Sequence, residues 1–285
     1  LESKIRQSFM SEDGQQLILQ RAREEIELGP GGSHEVTWLY LDLETTGLDH
    51  NREKIIEIGA VLFRLNLDNG KISEILEEYN AFQDPGKPIP PEITRLTGID
   101  DSMVAGQEMD REKVASLLNQ SELVLSHNAA FDRAFLDPEF AESKNSVWAC
   151  SMIQVPWRAL GFPCKGLSHL CMEHGFFYDG HRALHDVKAA LQLLTMDNEG
   201  LTYLQRIASE SALKTFLVEA VGSPFESKDA LKARQFRWNP AKRVWWKEVP
   251  EPDLEELNVF LESEVYNGKN KAQVEEIPAS RRFQP

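Results

Sequence analysis

The sequence predicts a mixed α/β domain followed by a small module made of a helix and a β-hairpin. Three observations carry that prediction. β-type apolar runs come first and then alternate with helical patterns, in the order βββαβαβαα, which is the pattern of a sheet flanked by helices. The turn signal "LDNG" joins two of the runs. After about residue 221 the composition turns basic and aromatic, which marks a separate unit.

Residues 1–33 read as a helical extension and linker: "SEDGQQLILQRAREEIEL" offers Ser11 as an N-cap, and "GPGGS" breaks the pattern. Strands are expected at 36–43, 54–65 and 71–82, a meander with Asn69 and Gly70 at the tip of its last turn. A short helix opened by proline (90–96) and a longer one (107–119) precede the buried strand "ELVLSHN". A helix from 129 and a strand near 147–152 follow. "GLSHLCMEHG" and "HRALHDVKAALQLLTM" have helical apolar spacing and close the domain, which spans 34–199. Residues 200–221 read as a connecting helix. In the module at 222–250, the stretch 227–247 sets Lys228, Lys232, Arg234, Arg237, Lys242, Arg243 and Lys247 against one acid, Asp229, and "WNPAKR" turns between two aromatic strands. Residues 251–285 read as an acidic helix and a disordered polar tail.

Composition bounds the function. In 285 residues, a hydrophobic share of 41% supports a packed core rather than disorder. A net charge of −15 argues against a polyanionic partner unless basic residues cluster or cations bridge to phosphate. Three cysteines without paired spacing make no disulfide framework and suit a reducing compartment. "LESKIRQSFM" lacks the apolar core of a signal peptide, and no apolar run has bilayer length. A cytoplasmic protein without a membrane partner is the expectation.

The chemistry starts in "WLYLDLETTGLDH". Asp42 and Glu44 end a strand and, two residues apart, share one face. Adjacent carboxylates repel unless positive charge lies between them. Asp132, in "SHNAAFDRAFL", stands on the first turns of a helix just past a strand, and Asp186, in "HRALHDVKAAL", flanks the apolar stripe of another helix. An acid beside a buried stripe is costly unless paired or bound to metal. Four such carboxylates suit hard divalent cations, Mg²⁺ or Mn²⁺, and a pair of these roughly 4 Å apart suits phosphodiester hydrolysis. His181, on the loop before the helix of Asp186, is placed to take a proton from water.

"LDLETTGLD", "HNAAFD" and "HRALHD" resemble the three motifs of the DEDDh exonucleases, the superfamily of the proofreading epsilon subunit of bacterial replicative polymerase. The resemblance covers about 36–195, with "IIEIGAV", "LTGID" and "LSHLCMEHG" as lesser landmarks. It implies a ribonuclease-H-like mixed sheet flanked by helices. It also implies metal ligation by Asp42, Glu44, Asp132 and Asp186, His181 as general base, and release of nucleoside 5′-monophosphates from a 3′ end. Thr45 and Thr46 are then expected near the terminal sugar, Leu48 against the last base, and Asn128 on the loop that meets substrate. The Thr-Thr pair after Glu44, where oligoribonuclease relatives have Met-Thr, favours DNA over RNA, with RNA 3′-end trimming as the alternative. A polymerase or repair partner is a further implication. A different class of reading remains, in which the chain is a catalytically silent nucleic-acid-binding protein.

Bland readings compete at several residues. His185 is expected to face solvent, and His127 to be structural. Cys164, His169, Cys171 and His174 lack the spacing of a zinc knuckle, and Leu167, Leu170, Cys171 and His174 fit the face of one packed helix better. In the module the tryptophans are expected to form a mini-core. Lys232, Arg234, Arg237, Lys242 and Arg243 are expected to contact nucleic acid. The segment resembles small modules of the pattern KA-x-G-x-R-W-x-P-x-x-K-x-W, with Gln235 where glycine is usual.

Overall fold

The computed structural model describes residues 9–284 except 12 and 14, and the chain divides into two compact units, 1–209 with 283–285 and 210–282.

The first unit begins with β1 (Gln20–Arg21), and its main sheet is entered at β2 (Glu35–Thr45), β3 (Ile55–Asn66) and β4 (Lys71–Phe82). The chain continues through α1 (Pro91–Thr97), α2 (Asp101–Val104), α3 (Arg111–Gln120), β5 (Leu123–Ser126), α4 (Ala129–Leu136), α5 (Ala141–Asn145), β6 (Trp148–Cys150) and α6 (Ser151–Gln154). It ends with α7 (Leu167–Glu173), β7 (Phe176–Phe177), α8 (Ala183–Leu194), the small hairpin β8 (Asp197–Asn198) and β9 (Leu201–Thr202), and α9 (Tyr203–Ser211). The sheet order is β4-β3-β2-β5-β6; β2, β3 and β4 run antiparallel, and β5 and β6 run parallel to β2.

Burial follows from this order. β3 lies between two strands and is buried at every residue but Arg64, whereas β4 alternates like an edge strand with one wet face. On β2, Leu39, Leu41 and Leu43 pack with Val114, Leu117 and Leu118 of α3 and with Leu136 of α4. Trp38 and Tyr40 face the opposite way, onto Val187, Ala190 and Leu191 of α8. The two-residue period of the strand therefore assigns Asp42 and Glu44 to the α8 face. None of the described helices is long and apolar enough to cross a membrane.

The N-terminal expectation needs correction. Among the described residues up to 28 there is no helix; the remainder of that expected helix lies outside the described residues. Ser11 caps a turn instead, its Oγ accepting from Gln16 N at 2.9 Å. β1 pairs in parallel with β7, and Ala22 and Ile26 pack on the first core. Gln20 and Ala22 N–H groups donate to Gly175 and Phe177 carbonyls, so the strand edge satisfies this backbone without a helix.

The second unit contains β10 (Thr215–Ala220), α10 (Lys228–Ala233), β11 (Arg237–Asn239), β12 (Val244–Pro250), α11 (Leu254–Phe260) and β13 (Gln273–Ile277). They form an antiparallel sheet in the order β11-β12-β10-β13 around Val218, Leu231, Phe236, Val249, Leu257 and Phe260. The expected connecting helix therefore stops at Ser211. "TFLVEA" is a strand because Thr215, Val218 and Ala220 are buried between two partner strands. The expected disordered tail is likewise wrong at 273–277, where β13 finds hydrogen-bond partners along β10. The mini-core expectation for the tryptophans holds in part for Trp245, which packs against this core beside Phe236, and fails for Trp238, which is 47% exposed.

Candidate active site

Three elements bring the acids together. β2 supplies Asp42 and Glu44, and α8 supplies Asp186 from its first turn. One carboxylate oxygen from each lies within 4.8 Å of the others. The close approach of α8 depends on Gly59 of β3. A Cβ added there would stand 2.2 Å from Leu184 N and 2.4 Å from the carbonyl carbon of Ala183. Glycine is thus the residue that lets the helix start rest on the sheet.

Asp132 arrives from the first turn of α4 and is 2% exposed. Its Oδ1 is buried and accepts no hydrogen bond. Burial pushes its carboxyl up to about 7, against the opposing pull of the Asp132 and Leu43 amides and the Ser126 hydroxyl. Burial also raises Asp42 well above the usual carboxylate range, and repulsion from Asp132, Asp186 and Glu44 adds to it. Glu44 is pushed up to about 8, first by burial and then by Asp186, Glu57 and Asp132, with Arg182 opposing. Asp186 is raised by burial, while the Tyr178 hydroxyl, the Arg182 amide and His181 lower it. Tyr178 donates to its Oδ1 at 2.7 Å and Arg182 N to its Oδ2 at 3.1 Å.

The basic group beside this cluster is already committed. The Arg182 guanidinium donates to both carboxylate oxygens of Glu57 at 3.0–3.3 Å. Glu57, fully buried on β3 opposite Glu44, also accepts from Ala183 N at 3.1 Å and from Asn80 Nδ2 at 3.3 Å. That satisfies Glu57 and, among the described residues, leaves the four acids without an ion pair. An all-carboxylate donor set with a buried, unpartnered oxygen fits hard divalent cations, with Asp42, Glu44, Asp186 and Asp132 as the residues to hold them.

His181 is exposed on the loop before α8 and holds a left-handed backbone, φ 64°, which a non-glycine residue adopts at a cost. His185 faces solvent. His127 is locked: its Nε2 donates to Lys165 O at 2.7 Å, so its Nδ1 accepts from Ser151 Oγ at 2.9 Å. Burial lowers its pKa to about 4, which keeps the ring neutral. Thr45 Oγ1 donates to Gly47 O at 2.7 Å and Thr46 Oγ1 donates to Glu53, so both hydroxyls brace the turn after Glu44. Beyond that turn Leu48 is 85% exposed. Asn128 is exposed at the start of α4 and makes no side-chain cap bond.

The five expected cations of the second unit do not behave alike. Arg234 pairs with Glu256, Lys242 pairs with Glu219, and Arg237 lies over the Trp246 ring. Among the described residues, Lys232 and Arg243 form no ion pair.

Sequence reasoning missed Glu57, Arg182 and Tyr178 as parts of the site. The signal for Glu57 was a lone acid inside the apolar run "IIEIGA"; for Arg182 it was a base one residue from His181.

The exonuclease family model matches residues 39–194. Over 168 residues the chain is 32% identical to the PolC-type DNA polymerase III of Clostridium perfringens, which covers 57% of this chain and 11% of that relative. It is 30% identical over 172 residues to the DNA polymerase III subunit epsilon of Treponema pallidum, covering 57% of this chain and 77% of that one. The fold is similar to that of E. coli Exonuclease I in complex with a dA16 oligonucleotide, with a TM-score of 0.52 and 17% identity over 86% of this chain and 64% of that chain. The match at 39–194 takes in both strand carboxylates, the loop of His181 and the start of α8, and the chain belongs to the exonuclease family, within the DEDDh 3′–5′ exonuclease superfamily.

Proposed function

We propose that the first unit hydrolyses the terminal phosphodiester of a nucleic acid at its 3′ end and releases nucleoside 5′-monophosphates. The observation that carries this reading is the group of four buried or half-buried carboxylates whose pKa values are all raised and whose neighbouring arginine is tied to Glu57. Asp42, Glu44 and Asp186, whose carboxylate oxygens lie together, and Asp132, whose charge bears on Asp42 and Glu44, would hold two divalent cations, Mg²⁺ or Mn²⁺. When bound, such cations neutralise the acids, bind phosphate oxygens and stabilise the charge that develops during phosphoryl transfer.

The chain's own residues do the rest. His181, exposed and set apart from the core, takes the proton of the attacking water. The Glu57–Arg182 pair and the Tyr178 hydroxyl hold both ends of the segment that carries it, since Arg182 follows His181 directly and Tyr178 grips Asp186. The braced turn at Thr45 and Thr46 presents Leu48 as an apolar surface for the terminal base. DNA is the favoured substrate, because the relatives in Clostridium perfringens and Treponema pallidum are DNA polymerase III components. A replicative polymerase is the corresponding partner. With all three cysteines free, a cytoplasmic location fits the chain.

The test is product analysis on a 3′-labelled DNA strand with the His181→Ala variant beside wild type. The reading expects labelled nucleoside 5′-monophosphate from wild type and turnover lower by about 10²–10⁴-fold in the variant. Release of 3′-monophosphates, or a variant with an unchanged pH–rate profile, would overturn it.

A further inference from the structure

The second unit carries an aromatic and cationic cleft that the proposed chemistry leaves unused. It has a volume of about 490 Å³, and Phe225, Lys228, Lys232, Trp238, Arg243 and Trp245 line it.

Its apolar part is surplus to the core. The unit closes around Val218, Leu231, Phe236 and Phe260 without Phe225, which is 76% exposed, or Trp238, which is 47% exposed. Two large aromatics left in water at one cleft mark a recognition surface more than a packing need. Trp238 is not loose: it stands directly across the hairpin from Trp245, with ring centroids 5.4 Å apart, so one indole is backed by another and keeps a face open.

Its cations are likewise unpaired. Elsewhere in this unit, Lys214, Arg234, Lys242 and Arg281 each pair with a glutamate. Lys228, Lys232 and Arg243, which line the cleft, form no ion pair among the described residues. Lys228 and Lys232 are four apart on α10 and so share one helix face. Lys228 lies over the Phe225 ring at 4.5 Å. Arg243 is held at the end of the hairpin turn in a left-handed conformation, φ 52°. In a chain of net charge −15, three unneutralised cations around open aromatic faces are complementary to a polyanion with flat apolar rings.

We propose that this cleft binds a single-stranded segment of nucleic acid, with Lys228, Lys232 and Arg243 on phosphates and one base stacked on Trp238. The proposal takes the class of its ligand from the nuclease reading above. It narrows the cations expected from sequence, replacing the paired Arg234 and Lys242 and the ring-stacked Arg237 with Lys228.

Binding of fluorescein-labelled oligothymidylate by anisotropy tests it, using the full chain carrying Asp42→Ala in EDTA. Cleavage plays no part in this readout, so failure of the nuclease reading leaves it intact. The triple variant Lys228→Gln, Lys232→Gln, Arg243→Gln is expected to bind at least about 10-fold more weakly, with a salt slope shallower by about 2 for three lost phosphate contacts. Trp238→Ala is expected to weaken binding about 10-fold and to remove the quenching of tryptophan fluorescence by the oligonucleotide. Lys214→Ala, a paired base of the same unit, is the control and is expected to leave affinity and slope unchanged. Wild-type affinity and slope in the triple variant, with its melting curve intact, would overturn the proposal. Equal loss in the Lys214 control would do the same.

Discussion

Glu44→Gln is predicted to stabilise the metal-free protein while abolishing its activity. Burial and three neighbouring acids raise Glu44 from 4.5 to about 8. At about 1.36 kcal/mol for each tenfold change in acidity, that rise amounts to about 5 kcal/mol of cost for the ionised form. The side chain keeps some contact with solvent, and the neighbours share the repulsion, so about 2–3 kcal/mol is the expected gain from the neutral isostere. The sign follows from proton linkage. The folded state holds a proton that the unfolded chain has released, so this group's contribution is fully present below about pH 4.5. It is lost as pH rises towards 8. His127 and His174, both lowered to about 4 by burial, act in the opposite sense, and their effect lies below about pH 6.5. Thermal melts in EDTA at pH 6.5 and 8.5 therefore leave the histidines out and report on the carboxylates, Glu44 and Asp132 among them. Wild type is expected to lose at least about 2 kcal/mol between them, and Glu44→Gln to lose less than wild type, the remainder coming from Asp132. At pH 8.5 the variant is expected to melt about 5–10 °C above wild type, taking about 2–4 °C per kcal/mol for a unit of this size. Saturating Mg²⁺ or Mn²⁺ is expected to raise the wild-type melting temperature and to narrow that gap. A variant that melts below wild type in EDTA at pH 8.5 would refute the reasoning, because Glu44 would then be a satisfied structural residue.

Three further outcomes follow from particular contacts. Gly59→Ala puts a methyl group 2.2 Å from Leu184 N, so the start of α8 must shift. Activity is expected to fall about 10²-fold, with a stability loss of about 1–3 kcal/mol in the melt. Arg182→Ala leaves Glu57 buried without its cation and is expected to cost about 3 kcal/mol, whereas Glu57→Gln combined with Arg182→Ala is expected to cost clearly less. Equal costs for the single and double variants in denaturant melts would show that the pair is not coupled. Gln235→Gly is expected to stabilise the protein by about 0.5–1 kcal/mol, since Gln235 closes α10 at φ 66° with its N–H on Lys232 O and the next N–H on Leu231 O. A lower melting temperature would count against that capping geometry.

The strand carboxylates were legible because a two-residue spacing at the end of an apolar run leaves a single geometric outcome. Asp186 was legible for the parallel reason on a helix, where it borders the stripe of Val187, Ala190 and Leu191. Glu57 was not, because its partner, Arg182, is distant in sequence and nothing local tells a satisfied buried acid from a ligand. The N-terminal segment failed for a related reason: its apolar residues suit a helix, but the free edge of β7 offers its backbone partners that the pattern does not reveal. β10 was missed because "TFLVEA" is short and follows a true helix, and β13 because its exposed face is polar and only pairing makes it a strand. Gln235 stood out in sequence as a departure from glycine, and its positive φ is the physical content of that departure.

The most direct measurement is a time course on 5′-labelled single-stranded DNA, with matched RNA, in Mg²⁺, in Mn²⁺ and in EDTA, comparing wild type with Asp42→Ala. The account predicts a ladder of labelled DNA that shortens step by step from the 3′ end, and no shortening in EDTA or in the variant, whose fold remains intact by melting. Turnover by Asp42→Ala equal to that of wild type, or immediate release of the label as a mononucleotide, would contradict it.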